Sequence, residues 1–170
     1  MNEQIRRATL ADIPTLVSFN AAMAFETEGK VLDEAKLVPG VQAVFGDTAK
    51  GSYLVVCWDG QVVGQCLLTT EWSDWRNGWF WWIQSVYVAP PARRQGVFKR
   101  LYFQVQQLAI AAGNVIGLRL YVERENSRAQ ATYASLGMTD EHYTVMGQCP
   151  LRVYEIGESS VSSESSERSH

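Results

Sequence analysis

A strand, a helix and a second strand follow one another in the middle of the chain, and this unit most constrains the fold. Residues 79–88 are aromatic and β-branched, as strands are, and Pro90-Pro91 ends the run. Apolar side chains then recur at helical spacing over residues 97–112, and residues 117–122 have the composition of a second strand. Because such crossovers are right-handed, we expect the two strands to lie parallel within one sheet.

The flanking segments extend this sheet. Asp59-Gly60 separates two strand patterns and suits a two-residue type I′ turn, which predicts an antiparallel hairpin. Asn126 precedes a short helical pattern that stops at Gly137. The strands of the predicted mixed sheet are residues 5–8, 52–58, 61–69, 79–88, 117–122, 142–146 and 152–156, and the helices are residues 9–24, 33–45, 97–112 and 126–136.

Length and composition indicate one globular domain over residues 1–156. The chain has 170 residues, of which 46% are hydrophobic and 19% charged. Residues 157–170 hold seven serines and one apolar side chain, Val161, so we expect a disordered tail that ends in a possible tag remnant.

Charge and hydropathy exclude several classes of partner. The net charge is −3 without a basic block, which disfavours binding to nucleic acid or to an anionic membrane. No apolar run approaches the ~20 residues that span a bilayer, and the N-terminus lacks the pattern of a signal peptide. We therefore expect a cytoplasmic protein.

The three cysteines, Cys57, Cys66 and Cys149, agree with a reducing compartment. Strand spacing in the hairpin places the first two sulfurs too far apart for a disulfide, and no spacing matches a zinc site. We expect buried free thiols and no bound metal.

The loop after residues 79–88 carries the clearest chemical signal. Arg93, Arg94 and Lys99 surround Gly96, which opens the following helix. Helix N-termini expose unpaired N–H groups and partial positive charge, and a glycine lets a phosphate approach the backbone. The loop is therefore a candidate pyrophosphate site, although a solvated basic loop at a helix start would look the same.

Two motifs resemble those of one family. Arg93-x-x-Gly96-x-Phe98, after Val86-Tyr87-Val88, is similar to the acetyl-CoA motif of the GNAT superfamily of N-acetyltransferases, with Phe98 where the family usually has Gly or Ala. Asn126-x-x-Ala129-x-x-x-Tyr133-x-x-x-Gly137 resembles the later GNAT motif. The two blocks lie in order on the predicted elements, and the resemblance extends over about residues 5 to 156.

The resemblance implies an α/β (α+β) fold with a mixed, mostly antiparallel six- to seven-stranded sheet and about four helices. It implies acetyl-CoA as co-substrate, with the pantetheine arm on the backbone of the strand where the fourth and fifth strands splay apart. The residues it assigns to the cofactor are Val86, Tyr87, Val88, Arg93, Arg94, Gln95, Gly96, Val97, Phe98, Lys99 and Asn126.

Tyr133 matches the family position that often protonates the departing thiolate. A phenol with a pKa near ~10 donates a proton without being ionised at neutral pH. Helical spacing alone favours a core aromatic residue near Ala129 and Leu136, so both interpretations stand at this point.

The acceptor side is less defined. Glu26 and Glu28, predicted to lie in the loop after the first helix, and Glu71 and Asp74, between the third and fourth strands, are candidate bases or cation-binding groups, or simply solvated carboxylates. Strand alternation points Phe80, Trp82 and Gln84 to one face and Trp79, Trp81 and Ile83 to the other. One face lines an acceptor cleft or, equally, belongs to the core and a dimer contact.

We therefore expect an N-acetyltransferase acting on a primary amine of a small molecule or peptide, and its Trp-rich strands and exposed sheet edges would suit a homodimer. The candidate acceptor-binding residues are Glu26, Glu28, Glu71, Trp82 and Gln84. The alternatives are a non-catalytic acyl-CoA sensor on the same fold and a tryptophan-rich protein-interaction module.

Overall fold

A computed structural model describes residues 2–151, and its helices and strands all lie in the first of two compact units, which ends at Gly137. The elements in chain order are β1 (Glu3–Arg7), α1 (Ile13–Glu28), α2 (Glu34–Gly46), β2 (Ser52–Trp58), β3 (Gln61–Ser73), β4 (Gly78–Val88), α3 (Val97–Ala112), β5 (Val115–Leu120) and α4 (Ser127–Ser135).

The five described strands form one sheet in the order β1-β2-β3-β4-β5. The first three pairings are antiparallel, and β4 pairs with β5 in parallel, as the crossover predicted. The β2–β3 turn has positive φ at Asp59 (48°) and Gly60 (84°), as a type I′ turn requires.

Helices cover both faces of this sheet. Alternate residues of β2, including Tyr53, Val55 and Cys57, pack with Leu16 of α1 and Val41 of α2. Leu54 and Val56 are also buried and face the opposite side, where α3 lies against the sheet. Full burial of aliphatic side chains such as Val55 contributes roughly 1.5–3 kcal/mol each, so this two-sided packing fixes β2 and β3.

The first helix is longer than the sequence predicted. It continues to Glu28, so Glu26 and Glu28 lie in its last turns and not in a loop. Gly29, at φ 63°, is the left-handed residue that ends the helix, and its N–H donates to the carbonyl of Phe25. Glu-Thr-Glu contains no helix breaker, so the helix runs on to the first residue that tolerates the capping conformation.

The second unit starts at Met138, and residues 138–151 contain neither helix nor strand. The predicted strand over residues 142–146 is therefore wrong. His142 has φ 61°, which an extended strand does not accommodate, and the side chains of Tyr143 and Met146 are exposed. The predicted strand 152–156 and the tail 157–170 lie outside the described residues, and the described part of the sheet has five strands where six or seven were expected.

All three cysteines are free, as predicted. Cys57 and Cys66 are buried, but Cys149 is exposed, which corrects the expectation of three buried thiols. Burial raises the pKa of Cys66 to about 12. None of the helices within residues 2–151 combines the length and apolarity needed to cross a membrane.

Candidate active site

A cleft opens where β4 and β5 part. The parallel pairing runs from Trp79 to Ile83 on β4, whereas β4 itself continues to Val88. The backbone of the last residues of β4 is therefore not paired with β5. Beside it lies a cleft of about 230 Å³, lined by Val86, Phe98, Asn126, Arg128, Ala129, Thr132 and Tyr133.

A β-bulge determines which side chains of β4 face this cleft. Gln65 lies opposite Tyr87 and Leu67 lies opposite Gln84, so β4 has one more residue than β3 between these pairs. Ser85, in the bulge, has φ 48°, a conformation uncommon for any residue but glycine. Because of the extra residue, Val86 faces the cleft while Tyr87 turns to the opposite face, toward α1.

The loop before α3 has the features of a candidate anion site. Arg94 (φ 62°) and Gly96 (φ 73°) both have left-handed backbone, and Gly96 is the N-cap of α3. A Cβ built on Gly96 would lie 3.0 Å from Nη1 of Arg100, which donates to the carbonyl of Gln95, so a side chain at position 96 would press on that contact. The unpaired N–H groups of the first turn, with exposed Arg94 and Lys99 nearby, fit a diphosphate.

Arg93 has a different role from its neighbour Arg94. Its Nε donates to the carbonyl of Val88 at 2.8 Å, and its Nη2 donates to Glu26 at 2.7 Å. Its guanidinium also lies over the ring of Tyr87, 5.3 Å from the centroid. Arg93 therefore fastens the loop to the end of β4 and to α1, and does not extend freely toward a phosphate.

Glu26 is held by the same contacts. The hydroxyl of Tyr87 donates to Glu26 at 2.8 Å, and this hydrogen bond, with the Arg93 guanidinium, lowers the pKa of Glu26. Burial and the Glu26 carboxylate raise the pKa of Tyr87. A carboxylate with two donors and a lowered pKa is a poor base, so this geometry favours a structural role for Glu26.

Tyr133 lies in the cleft on α4. Asn126 caps this helix, its Oδ1 accepting the N–H of Ala129 at 3.0 Å. Burial raises the pKa of Tyr133 from its ordinary value, so its phenol is protonated at neutral pH and suited to donate a proton.

Phe98, the residue that departs from the family pattern, forms a wall of the same cleft. Its ring meets Tyr133 edge-on at 5.4 Å between centroids and lies 6.3 Å from Tyr102. The larger side chain therefore orients the Tyr133 ring from the side and narrows the cleft next to the N-terminus of α3.

A second polar group lies on the sheet, on the face that carries α1. Trp82 Nε1 donates to Glu71 at 2.6 Å, and Arg119 of β5 donates to the same carboxylate at 3.1 Å. The Arg119 guanidinium stacks on Phe80, 3.5 Å from the ring centroid, and Tyr121 stacks on Trp82 at 4.4 Å. The Glu71 carboxylate is thus partly exposed but already matched by a cation.

The remaining predicted residues are dispersed. Gln84 donates to Thr69 at 2.5 Å on the same face as Trp82, and Gln95 donates to the carbonyl of Pro91 within the loop. Glu28 forms an exposed ion pair with Lys30, and Asp74 accepts the N–H of Trp75. Val97 is buried beneath the loop. The structure thus brings Val86, Phe98, Asn126 and Tyr133 together and leaves Glu28 and Asp74 apart from them.

Sequence reasoning missed Ser85, Arg119 and Tyr121. A strand pattern carries no mark of a bulge, and the position of Arg119 beside Trp82 depends on the β4–β5 register. One signal was available for another missed residue: Asn20 is a polar side chain on the apolar stripe of the first helix.

Comparison with known proteins gives one family match and several similar structures. Residues 19–138 match the profile of the acetyltransferase (GNAT) family. The chain is 43% identical to the protein in a crystal structure of a possible acetyltransferase from Clostridium difficile 630, with a TM-score of 0.83 and coverage of 89% of this chain and 100% of that one. No curated protein matches the sequence.

More distant structures share the fold. AAC(6')-Iy in complex with a bisubstrate analog, CoA-S-monomethyl-acetylneamine, has a TM-score of 0.70 at 13% identity, covering 87% of this chain and 98% of that one. A transcriptional regulator from Bacillus halodurans C-125 has a TM-score of 0.74 at 19% identity, with 86% and 99% covered. The family profile covers more than half of the chain, and the chain belongs to the acetyltransferase (GNAT) family.

Proposed function

We propose that this protein is an N-acetyltransferase that moves the acetyl group of acetyl-CoA to a primary amine of a small molecule or peptide. The observation that carries the proposal is the convergence of Val86, Phe98 and Tyr133 on one cleft at the parting of β4 and β5, beside the open N-terminus of α3. When bound, the thioester supplies an activated acetyl group, and transfer is a direct attack by the neutral amine on its carbonyl carbon.

The backbone of this chain holds the cofactor in our proposal. The backbone groups of Val86 and the N–H of Val88, on the part of β4 that is not paired with β5, receive the pantetheine arm as an added strand, and one of these N–H groups polarises the thioester carbonyl. The amides of residues 94–99 hold the diphosphate at the N-terminus of α3. Since the Oδ1 of Asn126 caps α4, its Nδ2 is the atom available to a ligand acceptor.

Tyr133 is the proposed general acid. Its phenol, kept protonated by burial, donates its proton to the sulfur as the carbon–sulfur bond breaks, and the phenolate is reprotonated by the proton that the attacking nitrogen loses as the amide forms. Glu71, Trp82 and Gln84 form the acceptor-side surface, on the sheet face that also carries Glu26. Glu26 and Glu71 each accept from one guanidinium and one neutral donor, so these contacts do not single out either carboxylate as the group that attracts the amine.

The test is a panel of amines incubated with acetyl-CoA, in which thiol release and product mass are measured. Replacing Tyr133→Phe removes only the hydroxyl, and we expect kcat to fall by about 100-fold or more while KM for acetyl-CoA changes little. Tyr143→Phe, at an exposed tyrosine, is the matched control.

Two outcomes would contradict the proposal. Wild-type kcat in the Tyr133→Phe variant would remove Tyr133 from the mechanism. Acetyl-CoA binding by calorimetry without amine-dependent thiol release would indicate the sensor, and no binding heat would indicate an interaction module.

A further inference from the structure

Three buried polar side chains meet beneath the bulge of β4. Asn20 of α1 donates through Nδ2 to the Tyr53 hydroxyl of β2 at 3.1 Å. Gln65 of β3, which is fully buried, donates through Nε2 to Asn20 Oδ1 at 2.8 Å and to the carbonyl of Ser85 at 3.3 Å. Side chains of three elements, α1, β2 and β3, therefore form one chain of hydrogen bonds that ends at Ser85 in the bulge of β4.

Ser85 needs such support because its backbone is strained. A serine at φ 48° is held in a sparsely populated region, and such residues persist only where the surroundings impose the conformation. The carbonyl of Ser85 accepts from Gln65, which is itself bonded to Asn20, and Asn20 donates to Tyr53. Together these contacts oppose relaxation of Ser85 toward an extended strand.

A polar side chain at position 65 is not what core packing alone would favour. Gln65 Oε1 is buried and has no hydrogen-bond partner among residues 2–151. A methionine of similar volume would bury no unsatisfied oxygen at this position. The unpaired Oε1 makes glutamine a poor choice for the stability of the core. The two hydrogen bonds that Nε2 donates, to Asn20 and to the Ser85 carbonyl, explain its presence better.

If the bulge relaxed, each side chain of β4 after Gln84 would point to the opposite face of the sheet. A strand without the extra residue alternates regularly, so Val86 would turn from the cleft and Tyr87 would leave Glu26. The backbone that parts from β5 would also shift by about one residue. The position of Val86 relative to Tyr133 thus depends on the conformation of Ser85.

We propose that Gln65, with Asn20 and Tyr53, is a positioning network that holds the bulge at Ser85 and thereby sets the geometry of acetyl transfer. The effect on turnover rests on the proposed function, whereas the effect on the backbone does not. None of the three side chains lines the cleft.

The experiment is a rescue. We expect Gln65→Met to lower kcat by about tenfold or more, because small displacements of reacting groups are costly. Adding Ser85→Gly to this variant should recover most of the loss, since glycine adopts positive φ without support. Ser85→Ala removes the same hydroxyl but keeps the strain, so in the Gln65→Met background it should not restore kcat.

A purely structural role for Gln65 predicts the opposite pattern. The added glycine would then lower the melting temperature further and leave kcat low. Tyr53→Phe is the second variant if Gln65→Met does not fold, and it should show a smaller loss of kcat with the same rescue by Ser85→Gly. Failure of Ser85→Gly to rescue either variant overturns the proposal.

A crystal structure of the Gln65→Met variant separates this inference from the proposed function. We expect Ser85 at negative φ and Val86 turned away from Tyr133. A retained φ near that of the wild type overturns the positioning role, whatever the activity. If the wild type acetylates no amine but Ser85 relaxes in the variant, the proposed function fails and the network stands.

Discussion

At the scale of single residues, Asp12 joins β1 to the start of α1. It is buried, and its two oxygens accept Nη1 and Nη2 of Arg6 at 2.7 and 2.9 Å and the N–H of Thr9 at 2.7 Å. These donors, with Arg6 first, lower its pKa to about 2. The folded state therefore prefers the ionised carboxylate more strongly than the unfolded chain does.

We predict a stability contribution with a defined pH range. An Asp pKa that falls from about 3.9 in the unfolded chain to about 2 in the folded state stabilises by about 2 kcal/mol above pH ~4, and this is lost as the pH falls toward 2. Asp12→Asn should thus lower the free energy of unfolding by about 2 kcal/mol at pH 7, measured by urea denaturation.

The difference between Asp12→Asn and wild type should shrink between pH 4 and pH 2. The exposed Asp74→Asn variant is the control and should stay within about 0.5 kcal/mol of wild type. A difference that stays constant over this pH range would mean that the ion pair is not the source of the stability.

At the scale of elements, β5 fits against β4 because one of its residues has no side chain. A Cβ on Gly117 would lie 2.7 Å from Cε1 of Phe80, whose ring is buried and carries Arg119 on it. The ring cannot move without displacing Arg119 from Glu71. Gly117 is therefore a packing requirement of the β4–β5 pair.

Two glycine-to-alanine substitutions should change the stability of the fold in opposite directions. Gly117→Ala should destabilise by about 1–3 kcal/mol through overpacking. Gly40→Ala, in α2, meets no atom within 4 Å and should stabilise by about 0.5–1 kcal/mol, because alanine loses less backbone freedom in a helix. Thermal denaturation followed by circular dichroism measures both. Equal melting temperatures for the two variants would refute the packing argument.

Local signals in the sequence predicted most of the elements. The Asp59-Gly60 turn, the Asn126 cap and the parallel crossover were all correct, because each depends on residues close together in the chain. The end of α1 was placed too early because the sequence pattern weakens before the capping Gly29. The prediction of a strand at 142–146 was wrong because an alternating pattern of apolar and polar residues does not reveal that His142 has a positive φ.

The candidate site was predicted only in part, because only some of its contacts are set by residues close together in the chain. Val86, Phe98 and Tyr133 belong to two motifs on predicted elements, and they meet in one cleft. Arg93 was assigned to the cofactor, but its contacts with Glu26 and Val88 depend on where α1 ends, which a motif does not specify. Ser85 required knowledge of the β3–β4 register, which no local pattern supplies.

At the scale of the whole molecule, the three thiols report on the integrity of the fold. Cys57 and Cys66 are buried on β2 and β3, whereas Cys149 is exposed. Burial raises the pKa of Cys57 as well as that of Cys66, so both disfavour the reactive thiolate while the chain is folded.

We predict that one thiol per chain reacts quickly with an aromatic disulfide reagent at pH 8, and all three react in concentrated urea. Cys149→Ser should abolish the fast reaction without changing stability, and Cys66→Ser should leave it intact. Fast labelling of Cys66 in the native protein would show that the β2–β3 hairpin opens independently of the rest of the sheet.

The strand order of the sheet is also the order of the strands along the chain. The strands β2, β3 and β4 pair through successive hairpins, whereas β1 is separated from β2 by α1 and α2, and β5 has to return across α3 before it can pair with β4. During synthesis on the ribosome, the edge of β4 would stay unpaired until α3 and β5 have emerged. The cleft between β4 and β5 is lined by residues of β4, α3 and α4, so we expect it to form last. A nascent chain would therefore gain affinity for its ligand only after α4 has left the exit tunnel.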